Sequence, residues 1–206
     1  MSGLWISPAK PHIDNMRWIL GLAVVVLCAV LLGGYVLAVE EPAFRNVLKD
    51  GAFEVRDYPA LVVAETIVSG GQKEAASQGF RRLAGYIFGA NPAKRKIAMT
   101  APVAQTLSGD QWIVRFTMPA DFTLATLPEP NDAHVKLRET PSARYAVVRF
   151  SGLARPDEVA RQTTALTRWI AGRQLKATGP ATLAQYNPPW TLWFLRRNEV
   201  MIPIEP

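Results

Sequence analysis

The pattern of apolar and polar positions is written twice along this chain. Arg56–Gly70, RDYPALVVAETIVSG, is echoed by Arg138–Gly152, RETPSARYAVVRFSG, without a gap at an offset of 82. Within these stretches Leu61–Val68 and Ala143–Phe150 are apolar and rich in β-branched or aromatic residues, which predicts a strand in each. A helical period follows each strand. Ala76, Phe80, Leu83 and Ile87 recur as Val159, Thr163, Leu166 and Ile170, at an offset of 83. The first helix is expected over about Gln72–Phe88, ending at Gly89. The second is expected to begin at Pro156-Asp157-Glu158 and to end at Gly172. Each unit closes with a proline-marked loop and a strand led by tryptophan. These are Met99–Pro102 before Trp112–Met118, and Tyr186–Pro189 before Trp190–Arg197.

The pattern therefore predicts an α+β domain built from a duplicated strand–strand–helix–strand unit. The first copy covers about 53–119 and the second about 135–204, with 53–206 as the whole domain. Two copies at this period make a duplicated domain and not a solenoid. Phe53–Tyr58 starts the first unit, and Leu61–Val68 continues it or pairs with it across Pro59. Ile97–Thr106 is expected to be extended, and Asp121–Asp132 to connect the halves. Residues 40–52 read as a linker with some helical character. Two such sheets are expected to join as one curved sheet or distorted β-barrel flanked by the two helices, because closure removes exposed edges.

Ahead of the domain, Trp18–Val39 is a run of 22 residues without a charge. As a helix it would reach about 33 Å, enough to cross a bilayer core. Lys10 and Arg17 precede it and Glu40 and Glu41 follow. The positive-inside rule then predicts a single-pass membrane protein, with 1–17 cytoplasmic and the domain on the periplasmic or extracytoplasmic side. The competing reading is a cleaved signal peptide ending near Val36-Leu37-Ala38; its usual apolar run is shorter.

Charge and cysteine content narrow the chemistry. The only cysteine of the chain, Cys28, falls in the apolar run, so the domain has no disulfide or thiolate site. The net charge of +6 is scattered along the chain, which argues against nucleic acid as a partner. No nucleophile elbow, zinc-protease helix or glycine-rich phosphate loop is present, and no enzyme activity is expected. A carboxylate pair of Asp57 with Glu139 is conceivable from the repeat; ion pairs to the adjacent Arg56 and Arg138 are the expected alternative.

Glu54-Val55-Arg56 with Tyr58, then Ile97–Val103 (IAMTAPV), then Tyr186–Pro189 and Arg196–Val200 (RRNEV) resemble the SOUL family of haem-binding proteins over about Glu54–Pro203. The chain also resembles effector-binding modules of bacterial drug-responsive regulators, and some relatives of that fold are hydrolytic. The resemblance implies a duplicated, distorted barrel that binds haem or another tetrapyrrole non-covalently, chiefly by apolar contacts, as carrier, buffer or sensor. The alternative is a different hydrophobic or amphipathic ligand, and a third reading is a small hydrolase.

The resemblance places the ligand on the first helix and nearby strand loops, which points to Phe80, Leu83, Ala84 and Ile87, with Met99 and Trp190 closing a slot. Arg81, Lys94 and Lys96 are candidates for the propionates. Phe80 differs from its repeat partner Thr163, which favours a role outside the shared core. Animal members carry basic residues on this helix where Ser77 and Gly85 stand here. For iron, His134 and Met99 are weak candidates, with a surface role and a core role as the plainer readings.

Overall fold

The computed structural model describes residues 39–206. The expected membrane span and cytoplasmic N-terminus lie, apart from Val39, outside the described residues. Among the described residues no helix is long and apolar enough to cross a membrane.

Among the described residues nine strands and two helices follow one another. The first half contains β1 (Arg45–Asp50), β2 (Phe53–Tyr58), β3 (Leu61–Ser69), α1 (Gln72–Ile87), β4 (Val103–Ser108) and β5 (Gln111–Thr117). The second contains β6 (Lys136–Thr140), β7 (Ala143–Ser151), α2 (Pro156–Gly172), β8 (Thr182–Gln185) and β9 (Arg197–Ile204). The strands make one antiparallel sheet in the order β1-β2-β7-β9-β8-β4-β5-β3-β6. Exchanging β2 with β6, β3 with β7, β4 with β8 and β5 with β9 turns this order, leaving β1 aside, into its own reverse. The sequence repeat is thus a two-fold repeat of the fold, with its centre between β4 and β8.

The first strand of each half crosses to the other half. β2 pairs with β7 and β6 with β3, so no β2–β3 hairpin forms. The links explain this. Two-residue hairpins need positive φ, usually from glycine or asparagine, whereas Pro59-Ala60 and Pro141-Ser142 offer neither. The chain turns a corner and feeds the neighbouring half.

The expected barrel is not closed. Closure would require β2 to meet β6, but β1 occupies the outer edge of β2. The segment read as a partly helical linker is therefore an edge strand, its Leu48 half-buried against the second core. Charged residues on the two edge strands, among them Lys49, Asp50, Lys136 and Glu139, discourage further pairing.

Both helices lie on one face of the sheet, α1 over β3 and β5 and α2 over β7 and β9. Leu83, Ala84, Tyr86 and Ile87 pack with Ala64, Val114, Phe116 and Met118; Leu166 and Ile170 pack with Ala146, Val148, Val200 and Ile202. Gly89 takes the expected left-handed conformation, φ 110°. The second helix, α2, ends at Gly172 as expected, and Gln174, at φ 58°, takes the left-handed place two residues on. Trp190–Arg196 is not a strand. It is a turn followed by a 3-10 turn at Trp193–Leu195, and β9 starts only at Arg197.

Candidate functional site

The residues expected to form the site divide sharply in the fold. Leu83, Ala84 and Ile87 are buried in the first core, and Met99 is half-buried against it. Phe80, on the same helix, is 39% exposed and packs edge-on to Phe116 with ring centroids 5.4 Å apart. Arg81 and Lys94 are exposed, and Lys94 has φ 50°. Trp190 is 82% exposed, so it does not close a slot over α1.

The strand register relates Phe80 to the loop that carries Trp190. Phe116 pairs with Val103 of β4, and Val103 pairs with Gln185 at the end of β8, where that loop begins. Two strand spacings, about 10 Å, separate Phe116 from the loop's root. Between lies the strip of β4 and β8 flanked by the two helices. The loop itself exposes Leu192, Trp193, Phe194 and Leu195 as well as Trp190.

The opposite, helix-free face carries what the sequence reading missed. Strand alternation puts Glu54, Arg56 and Tyr58 on that face of β2. Arg56 donates from Nε to Glu54 Oε2 at 2.7 Å, from Nη1 to Glu199 Oε2 at 2.8 Å and from Nη2 to Glu199 Oε1 at 3.1 Å. Tyr186 donates to Glu199 Oε2 at 2.7 Å, and Arg197 holds Glu199 Oε1 at 3.0 Å. Burial alone would raise the Glu199 carboxyl, but Arg56, Tyr186 and Arg197 outweigh it and hold the group below the usual carboxylate range. Burial, with Glu199 nearby, pushes the Tyr186 phenol up. A second cluster joins Glu65 to Arg115 at 2.7 Å and to Arg138 at 3.0 Å. The available signal was a charged residue set inside an apolar strand, as Glu65 and Glu199 both are.

Beside these clusters runs a cleft of about 110 Å³, with Phe44, Tyr58, Tyr145, Tyr186, Met201 and Arg115 among its walls. That is below the roughly 300 Å³ at which small-molecule pockets usually begin. The chain entering the domain covers one side of it. Phe44 lies 5.3 Å from Tyr58 and under the Arg56 guanidinium at 4.4 Å.

Asp57 is not paired with Arg56, because neighbouring residues on a strand face opposite ways. It bonds instead to its cross-strand neighbours, Arg144 at 2.6 Å and Arg45 at 2.6 Å. Arg138 likewise holds Glu65 and not Glu139. His134 is a surface residue, its Nδ1 2.9 Å from Asp132 Oδ1.

An open, duplicated antiparallel sheet with two helices on one face defines the class of α+β domain. Within that class the chain belongs to the SOUL heme-binding protein family, whose profile matches residues 39–203. Haem is that family's ligand. No curated protein matches the chain. Among solved structures, the C-terminal domain of EcmrR is similar at 12% identity and TM-score 0.60, over 74% of this chain and 96% of that one. A hydrolase from Listeria innocua is similar at 12% identity and TM-score 0.55, over 77% and 94%. Both likenesses are of fold.

For haem, the chemistry of the residues on the Phe80 side suits the ring. Aromatic faces can stack on a flat macrocycle, and exposed Arg81 can meet a carboxylate. Toward iron this side offers the half-buried Met99 thioether.

Proposed function

We propose that the domain binds haem or a related tetrapyrrole non-covalently, over the half-exposed Phe80 of α1, and that Trp18–Val39 anchors it to a membrane. Carrier, buffer or sensor are the roles such a site would serve. The observation that carries the proposal is Phe80. It breaks the repeat at Thr163 and remains 39% exposed on a helix whose other large apolar residues, Leu83, Tyr86 and Ile87, are buried. An aromatic ring kept at the surface is what a planar apolar ligand would cover. Met99 and Ala84 would lie at its margin, and Arg81 or Lys94 would meet its carboxylates. When bound, haem would supply redox or gas-binding chemistry of its own.

A second reading places a smaller hydrophobic or amphipathic ligand in the helix-free cleft. The aromatic walls of Tyr58, Tyr145 and Tyr186 beside buried Glu199 favour it.

The test is optical titration of the Val39–Pro206 unit, which closes its own core, with hemin and with iron-free protoporphyrin. A saturating one-to-one Soret shift is expected with both, and Phe80→Asp is expected to abolish it. Undiminished binding by Phe80→Asp would remove α1 from the site. Binding lost only in Tyr145→Ala would move the ligand to the cleft.

A further inference from the structure

We infer that the loop between β8 and β9 is a membrane-docking surface, which seats Trp190, Leu192, Trp193, Phe194 and Leu195 in the interfacial layer of a phospholipid bilayer. These five side chains are 82%, 59%, 61%, 53% and 61% exposed. No charged residue occurs from Tyr186 to Leu195. A contiguous apolar surface of this kind, rimmed by polar residues, marks contact with another apolar phase.

The loop is held in the shape that turns these side chains outward. Arg196 donates from Nε to Thr191 O at 2.9 Å and from Nη2 to Pro189 O. Thr191 N bonds to Pro188 O at 3.0 Å and Leu195 N to Leu192 O at 2.9 Å. Trp193 and Phe194 pack edge to face at 5.6 Å. At the loop's base, Arg197 N donates to Asn187 Oδ1 at 2.6 Å. These bonds pin the turns of the loop, and its large apolar side chains stay exposed.

The occupant follows from where the chain enters the domain. Glu41 is bonded to Arg197, the residue that ends the loop, at 2.9 and 3.1 Å. Glu40 O accepts Ala101 N at 2.8 Å, just before β4, whose first residue Val103 pairs with Gln185 at the loop's other end. Entry point and loop thus share one end of the sheet. Directly before Val39 stands the uncharged run from Trp18, so the docking rests on reading that run as a membrane anchor. Tryptophan at a bilayer interface keeps its ring among acyl chains and its N–H in the headgroup layer. Arg196 and Arg197 are engaged within the protein and Glu40 and Glu41 lie close by, so seating depends on apolar insertion and not on anionic lipid.

Spin labels on the full chain in phosphatidylcholine vesicles test this. Native Cys28 reports the anchor. Phe194→Cys in a Cys28→Ser background reports the loop, and Asp110→Cys, in the β4–β5 turn at the far end of the sheet, serves as the water-exposed control. The Phe194 label is expected to lose most of its collisions with a water-soluble nickel chelate while remaining accessible to oxygen, with no dependence on added anionic lipid. Equal nickel accessibility at Phe194 and Asp110 would overturn the inference, even with Cys28 shielded. Shielding that arises only on adding hemin, or only at high protein-to-lipid ratio, would also overturn it, naming the ligand or a second copy as the occupant. A nickel-accessible Cys28 beside a shielded Phe194 would sink the anchor and leave the docking loop standing.

Discussion

Arg56 and Glu199, 143 residues apart in the chain, meet as a two-point ion pair that is 2% and 0% exposed. The pair joins β2 of the first half to β9 of the second, on either side of β7, and so fastens the crossover of strands between the halves. Breaking one side of such a pair strands a charge in the interior. Arg56→Met is expected to lower stability by about 3–5 kcal/mol. Arg56→Lys should recover little of it, because an ammonium cannot span both carboxylate oxygens. Urea unfolding of the three proteins measures this; an Arg56→Lys variant as stable as wild type would count against the two-point geometry.

Asp57 gives the fold an acid-sensitive clasp. The hydrogen bond from Arg144, then that from Arg45, holds its carboxyl at about 2. A depressed folded-state pKa contributes stability that is complete above the unfolded value of about 3.9 and lost as pH falls toward the folded value. The stability difference between wild type and Asp57→Asn should therefore be constant above about pH 5 and shrink steadily as pH falls to about 2 and below. Urea midpoints across that range would reveal it.

Gly79 sets how closely α1 approaches the sheet. A Cβ there would lie 2.5 Å from Val114 Cγ2 on β5. Although alanine favours helix by about 1 kcal/mol over glycine, overpacking costs about 1–3 kcal/mol. Gly79→Ala is expected to lower the melting temperature, and Val114→Ala added to it should be less damaging than the two single effects summed.

His134 is expected to be a bystander. Its ring is exposed and tied to Asp132 in the connector. His134→Ala should leave the hemin-bound spectrum unchanged and alter stability by less than about 0.5 kcal/mol. A lost six-coordinate signature would assign it to iron.

Much of the fold was readable from periodicity. Strand β3 and its echo β7, both helices, and Val114-Phe116-Met118 on one face all follow from which positions are apolar, because a strand repeats every two residues and a helix every 3.6. The Trp190 loop was misread as a strand because its apolar run satisfies the same pattern while facing outward. The edge strand β1 was missed for the converse reason, being almost wholly exposed.

The chain alone determined that there are two like halves, where each begins, and where the helices fall, since these depend on neighbours in sequence. Only the tertiary structure decided that the first strands cross between halves and that β1 keeps the sheet open. It alone brought Glu199 to Arg56 and left Phe80 uncovered while its helix neighbours went inside. Such pairings depend on which distant strands lie side by side, and local hydrophobic spacing carries no record of that.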